Sequence, residues 1–282
     1  MPELPEVETI RRSLLPLVAG GLIRAIQTDT PGVLINAGLT TSGWQIRDLS
    51  RRGKYLLVTL WQEETPVQRA LLIVHLRMTG RLTVQAEGAT VRRHTHVRIL
   101  IVPDGAGAPF WLHFQDTRRF GRLWLVSADQ PETWPTGLVR LGPEPLEPTF
   151  TSHILQDNLQ RHARLSIKAA LLDQRIVAGL GNIYADESLF AAGLAPVRPA
   201  GSLQSDDIVR LTEAIRHTLA RAIDCCGTTL RDYVDGWSRA GSFQECLMVY
   251  GRAGQPCRHC DQMIRQRKLA GRTTAWCPEC QK

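Results

Sequence analysis

The sequence has no long apolar run. Leu71-Leu72-Ile73-Val74 is among its longest, far short of the ~20 residues that a bilayer-crossing helix needs. The opening, MPELPEVETIRR, is acidic before it is basic and has no apolar centre, so it does not read as a secretory signal. A cytosolic address is the resulting expectation. There is no internal repeat and no low-complexity tract, and 43% apolar with 22% charged residues excludes global disorder. A length of 282 residues suits two domains with room for a third small module.

Acidic residues are scarce at one end. Residues 251–282 hold seven bases (Arg252, Arg258, Arg265, Arg267, Lys268, Arg272, Lys282) against two acids (Asp261, Glu279). That segment therefore carries +5 of the net +7. Basic charge focused on one short segment suits a polyanion such as nucleic acid, although a solvated basic tail has the same composition. The same segment contains Cys257-x-x-Cys260, 16 intervening residues and Cys277-x-x-Cys280. This is the spacing of a four-thiolate zinc site, and so short a tail needs a metal to fold. Two disulfides are the competing reading, which a cytosolic address disfavours. Cys225, Cys226 and Cys246 read as packed thiols.

Apolar spacing predicts a helix over 4–18, stopped by Gly20-Gly21. Strands are expected at 55–60, 70–76, 97–102, 110–115 and 122–126, separated by Gly, Pro and Asp-Gly turns, which favours a sandwich or flattened barrel. Pro131, Pro135, Pro143, Pro145 and Pro148 mark a linker. Helices are expected beyond it at 151–161, 167–176, 184–192 and 205–225. The expected organisation is α+β: a first domain over 1–130 with an N-terminal helix and β-sandwich, a linker over 131–149, a helical domain over 150–250, and a zinc finger over 251–282.

Several segments carry chemistry. Removal of Met1 ahead of the small Pro2 leaves a secondary amine that can attack a carbonyl carbon and form an iminium. Glu3 and Glu6 beside it suit proton transfer, yet the hexapeptide alone reads first as a well-capped helix start. Gly179-Leu180-Gly181-Asn182 lies between helices, where Asn182 can cap the next one and its N–H groups suit a phosphate. An ordinary helix-to-helix turn fits equally. Lys168 stands just upstream, as a charge for the same spot or as a surface lysine. Asp116-Thr117-Arg118-Arg119-Phe120-Gly121 puts two guanidiniums beside an aromatic, which suits a phosphate grip and a wedge between bases, or a basic strand connection with Phe120 in the core. Met78 reads unaided as a core residue, Lys54 as a solvated base, and Arg92-Arg93-His94-Thr95-His96 as a phosphate contact.

Taken together, these segments resemble the formamidopyrimidine-DNA glycosylases, bacterial enzymes that remove oxidised purines from DNA. The resemblance runs through MPELPEVET, RRGKYLL, HLRMTG, DTRRFG, LGPEPL, GLGNIYADESLFAAG, GTTLRDY, VYGR and the cysteine quartet. It implies that Pro2 is the nucleophile at C1′, Glu3 the acid/base at the sugar and Glu6 a supporting carboxylate. It also implies that Lys54 transfers the proton in β-elimination and that Arg272 serves δ-elimination and phosphate contact. Met78, Arg118 and Phe120 would fill the gap left by an extruded nucleotide. Arg119, Lys168, Asn182, His94, Arg164 and Tyr184 would contact DNA around a helix–two-turn–helix. One structural Zn2+ on Cys257, Cys260, Cys277 and Cys280 is implied. So is a monomer acting on double-stranded DNA that contains oxidised purines or abasic sites, with no membrane partner. Arg77 and Thr79 stand where the family often has Gly and Ser, Thr117 where it often has Pro, and Ser242 where an aromatic is common. The competing functions are an oxidised-pyrimidine glycosylase of the endonuclease VIII type, a damaged-DNA-binding protein without catalysis, and a tautomerase-like enzyme using Pro2 as a base.

Overall fold

The computed structural model describes residues 1–62, 68–229 and 233–282. The chain divides into two compact units, Met1–Val139 with Cys226–Gly241, and Arg140–Cys225 with Ser242–Lys282. No helix is long and apolar enough to cross a membrane among the described residues.

The first unit opens with α1 (Leu4–Val18), whose buried stripe of Leu4, Val7, Ile10, Leu14 and Val18 follows helical spacing. Nine strands follow among the described residues: β1 (Leu22–Thr28), β2 (Leu34–Asn36), β3 (Trp44–Arg52), β4 (Tyr55–Gln62), β5 (Gln68–His75), β6 (Gly80–Ala86), β7 (Thr95–Val102), β8 (Phe110–Asp116) and β9 (Arg122–Ser127). They form one sheet in the order β2-β9-β5-β4-β3-β1-β7-β8-β6. The join between β1 and β3 is only two residue pairs long, Leu22 with Gln45 and Ile23 with Trp44. Around it the sheet folds over on itself. Leu56, Val58, Leu72 and Val74 from one half and Leu82, Ile99, Ile101 and Leu112 from the other line one apolar interior with Leu14 and Val18 of α1. The expected sandwich is thus a single sheet closed over a shared core.

The partition differs from the sequence-based one in the first unit's borrowed segment. Residues 226–241 lie outside its continuous run of chain yet bond to it. Thr228 N–H donates to Glu6, Gly236 N–H to the Ser13 hydroxyl, and Val84 N–H to the Gly236 carbonyl. The proline-rich stretch also differs from an unstructured linker. It contains a 3-10 turn at Pro131–Thr133 and the short helix α2 (Thr136–Val139), with Pro131 and Pro135 at or just before their starts, where a missing N–H costs nothing.

The second unit holds α3 (Ser152–Gln160), α4 (Ile167–Leu172), α5 (Asn182–Ala191), α6 (Ser205–Asp224) and the hairpin β10 (Arg265–Leu269) with β11 (Arg272–Trp276). Helix α4 stops well before residue 176, because Asp173 accepts the Arg175 N–H and guanidinium in a tight turn. Helix α6 buries Ile208, Leu211, Ile215 and Leu219 at helical spacing and begins with a reciprocal Gln204–Asp207 cap. The zinc segment does not stand as a separate unit. Phe190 of α5 shares a core with Val249, Cys257, Ile264, Ala275 and Cys277, and the chain end pairs with residues 193–195 through Ala195 N–H to Lys282 O and Lys282 N–H to Gly193 O.

Candidate active site and nucleic-acid interface

In the first unit the fold brings distant motifs to one end of the sheet. Strand β3 ends at Arg52 and β4 begins at Tyr55, which pairs with His75 at the end of β5, which pairs in turn with Arg122 at the start of β9. In the other half, β6 begins at Gly80 opposite Asp116, the last residue of β8, and β7 begins at Thr95 beside it. The turns that carry Lys54, Met78, His94 and Arg118–Phe120 therefore all leave at strand ends of the same kind.

Helix α1 runs antiparallel to β3. Its Arg11 donates to the Leu49 carbonyl, while Glu8 meets Arg51 at 3.4 Å. At 1.5 Å per helical residue and ~3.3 Å per strand residue, the six residues back to Pro2 and the three onward to Lys54 cover about the same distance. Pro2 and Lys54 thus belong to one end of the unit.

Pro2 is buried beside the exposed Met1. Glu3 and Glu6, at 2% and 1% exposure, form a reciprocal helix cap. One Glu6 oxygen accepts the Glu3 N–H at 2.7 Å and the other the Thr228 N–H at 2.8 Å. Glu6 therefore braces the start of the chain. The motif 227–233 that supplies Thr228 has Leu230, Arg231 and Asp232 outside the described residues.

Lys54 is 7% exposed, in a two-residue turn whose first position, Gly53, has φ 56°. His75, which sequence reasoning passed over, lies behind it. Its Nδ1 accepts the Arg77 N–H at 3.0 Å, so the ring is neutral with its proton on Nε2, and it packs edge-to-face with the Tyr55 ring at a centroid separation of 4.5 Å. Burial, with the charges of Arg77 and Lys54, pushes His75 down to about 3.

Asp116 was also missed, and it joins the Met78 turn to the Arg118–Phe120 turn. Its carboxylate accepts the Thr79 hydroxyl, the Arg118 N–H at 3.2 Å and the Gly121 N–H at 2.7 Å. Thr79 thus keeps the hydroxyl that a serine would supply. Phe120 is 47% exposed, with the Arg118 guanidinium 4.7 Å over its ring. An exposed aromatic with a cation stacked on it belongs to the surface and not to the core. Met78 is half-buried, not the core residue its type suggests. His94 and Arg119 sit at φ 65° and 56°.

In the second unit the four cysteine sulfurs lie within 4.8 Å of one another, with contacts of 3.4 to 3.9 Å. Tetrahedral Zn–S bonds of ~2.3 Å place sulfurs about 3.8 Å apart, so the quartet fits zinc. Cys225, Cys226 and Cys246 form no part of this group.

The segment Asn182–Glu187 ties helix α5 to that module. The Asn182 amide donates to the Thr273 carbonyl at 2.8 Å. Asp186 accepts the Ala275 N–H at 3.1 Å, and Glu187 accepts the N–H groups of Met248, Val249 and Tyr250. Burial pushes Asp186 up to about 6, against the pull of Lys168, and pushes Glu187 up against its three N–H donors.

Three expectations change in this unit. Lys168 is wholly buried, held by Asp186 at 2.6 Å and the Asn182 carbonyl at 2.8 Å, so its ammonium is part of the scaffold. Tyr184 is wholly buried too, with its ring against Phe243 at 5.7 Å. Asn182 is the first helical residue of α5, and Gly181 takes the cap position. Arg272 is exposed at the end of the β10–β11 turn, and Arg164 is exposed between α3 and α4.

The comparisons with known proteins meet this geometry over the whole chain. Residues 1–123 match the formamidopyrimidine-DNA glycosylase N-terminal domain, 141–234 the formamidopyrimidine-DNA glycosylase H2TH domain, and 254–282 the zinc finger found in FPG and IleRS. A formamidopyrimidine-DNA glycosylase of Moorella thermoacetica is 49% identical over 94% of this chain and 93% of its own. The chain belongs to the formamidopyrimidine-DNA glycosylase family. A second member, from Pelotomaculum thermopropionicum, is 46% identical over 100% of this chain and 99% of its own. The crystal structure of this glycosylase from Thermus thermophilus superposes with a TM-score of 0.85 at 42% identity, covering 99% of this chain and 98% of that one. The Lactococcus lactis enzyme in complex with abasic-site DNA gives 0.85 at 34% identity, covering 99% of each.

Proposed function

We propose that the chain is a bifunctional DNA glycosylase and abasic-site lyase that excises formamidopyrimidines and 8-oxoguanine from duplex DNA and cleaves the strand by β,δ-elimination. The observation that carries this reading is the shared end of the first unit. Pro2 over a buried two-carboxylate cap, a buried lysine and an arginine-stacked exposed phenylalanine all lie there.

A base inside a duplex cannot be attacked, so the nucleotide turns out of the stack, at a cost of about a few kcal/mol. Phe120, Arg118 and Met78 fill the gap and offset part of that cost. Once Met1 is removed, the Pro2 nitrogen bonds to C1′ as the C1′–N bond to the base breaks, and Glu3 manages the proton at the sugar oxygen. The resulting iminium acidifies the 2′ protons. Lys54 moves a proton in the elimination that expels the 3′ phosphate, Arg272 supports the second elimination, and water then frees Pro2. Asn182, Arg164, Arg119 and His94 support phosphate contact. Four thiolates leave no position on zinc for a catalytic water, so its role is structural. Cytosolic action on chromosomal DNA suits this chemistry. Borohydride added during reaction with an 8-oxoguanine duplex tests the reading, since only an imine intermediate is trapped as a stable protein–DNA adduct.

A further inference from the structure

We propose that Arg77 is an additional phosphate-binding residue of this chain, gripping a phosphodiester next to the extruded nucleotide. The inference rests on the DNA-glycosylase reading above and adds a contact that reading does not use.

Arg77 holds φ 55°, in the left-handed region that a side chain with a Cβ enters under strain. The conformation is imposed, because its N–H is tied to His75 Nδ1 and two residues later Thr79 is tied to Asp116. Glycine is the residue suited to such a position. An arginine kept there needs an offsetting interaction, and the chain itself supplies none. Its side chain is exposed and has no hydrogen bond or ion pair among the described residues. Strain retained without an internal partner points to an external one.

The surroundings identify that partner as an anion. The register that pairs Tyr55 with His75 sets the Lys54 turn beside the Arg77 turn. The charge of Arg77 is felt at both Tyr55 and His75, and that of Lys54 at His75. Arg52 and Arg122 stand in the same cross-strand row. Met78, the wedge, is the next residue. A planar guanidinium between a wedge and a catalytic lysine matches the oxygens of a backbone phosphate better than a base edge.

The test uses the full-length zinc-bound protein and a duplex containing a tetrahydrofuran abasic analogue, which cannot be cleaved. Affinity is measured by fluorescence anisotropy from about 50 to roughly 300 mM KCl, where counterion release dominates the salt dependence. Arg77→Gly should raise Tm by relieving the strain, weaken binding about five- to tenfold near ~0.1 M salt, and reduce the log–log salt slope by about 0.9. Arg77→Lys should keep the wild-type slope. An Arg77→Gly protein with unchanged affinity and slope overturns the inference, whatever its Tm. Failure of the unaltered protein to bind this duplex overturns the glycosylase reading, and the inference with it.

Discussion

Glu6 links the start of the chain to Thr228, more than two hundred residues away, through a 2.8 Å hydrogen bond from the Thr228 N–H, while its other oxygen holds the Glu3 N–H at 2.7 Å. The carboxylate thereby fixes the backbone on which Pro2 and Glu3 are mounted. Glu6→Gln offers only one acceptor oxygen to two N–H donors. At about 1.5–3 kcal/mol for a charged hydrogen bond, kcat should fall roughly 10- to 150-fold with DNA affinity little changed, measured by single-turnover excision and binding. Gly227→Ala should act on the same brace. Its φ is 81°, and an added Cβ would sit 2.9 Å from Glu6 Oε1.

The zinc module should depend on Glu187 as well as on zinc. Glu187→Ala strands three N–H donors at Met248, Val249 and Tyr250. A loss of the order of 2–4 kcal/mol is expected, seen as a drop in Tm of about 5–15 °C and as faster hydrogen exchange at those amides. Cys277→Ala should lose the metal and weaken DNA binding, with a shallower salt dependence because Arg272 is displaced. Full DNA affinity in zinc-free protein would refute the structural role.

His75 sets a pH dependence. Its folded value of about 3 lies below the ordinary value of 6.5, so the unfolded chain binds more protons between those limits. The contribution to stability is fully present above pH ~6.5 and is lost as pH falls towards ~3, at about 1.4 kcal/mol per unit. The Tm advantage of the unaltered protein over His75→Gln should therefore narrow as pH falls from about 7 to roughly 4.5. A constant difference would show a charged imidazole.

On the proposed reading, Arg118 contacts the base opposite the lesion. Its guanidinium has only donors, and orphaned cytosine offers O2 and N3, whereas adenine sets a donor beside its acceptor. Arg118→Ala should narrow the preference for lesions opposite cytosine over adenine, by roughly five- to 150-fold for a loss of about 1–3 kcal/mol. Cleavage at a preformed abasic site should change much less. Comparing single-turnover rates on the two pairings measures this.

The metal site was legible because its chemistry is local in the chain: the cysteine spacing carries its own signal. The Pro2-Glu3 start reads alone as a helix cap and the Arg118–Phe120 turn as a basic connection, so their roles come only from the resemblance. Helix α1 keeps helical spacing throughout, β4 alternates, and β5 is a short continuous apolar run. Burial was not legible. Lys168 looks like a surface charge until Asp186, 18 residues on, closes over it, and Tyr184 looks like a contact residue until Phe243 covers its ring. Strands β1 and β3 fall in the stretch that reads as strands, but their bounds were not legible because bulges near Arg24 and Arg47 interrupt their alternation. Strand β10, reading Arg-Gln-Arg-Lys-Leu, has almost no apolar face and is held by the module around the cysteines. The gathering of Lys54, Met78, His94 and Phe120 at one sheet end depends on strand order, which no local window contains.

The central claim is that Pro2 forms the covalent bond to the sugar. Borohydride trapping on 8-oxoguanine duplex, followed by protease digestion and mass mapping of the adduct, tests it most directly. The modified residue should be Pro2, with trapping abolished and duplex binding retained when Met1 is kept in place. An adduct mapped to Lys54 would contradict it.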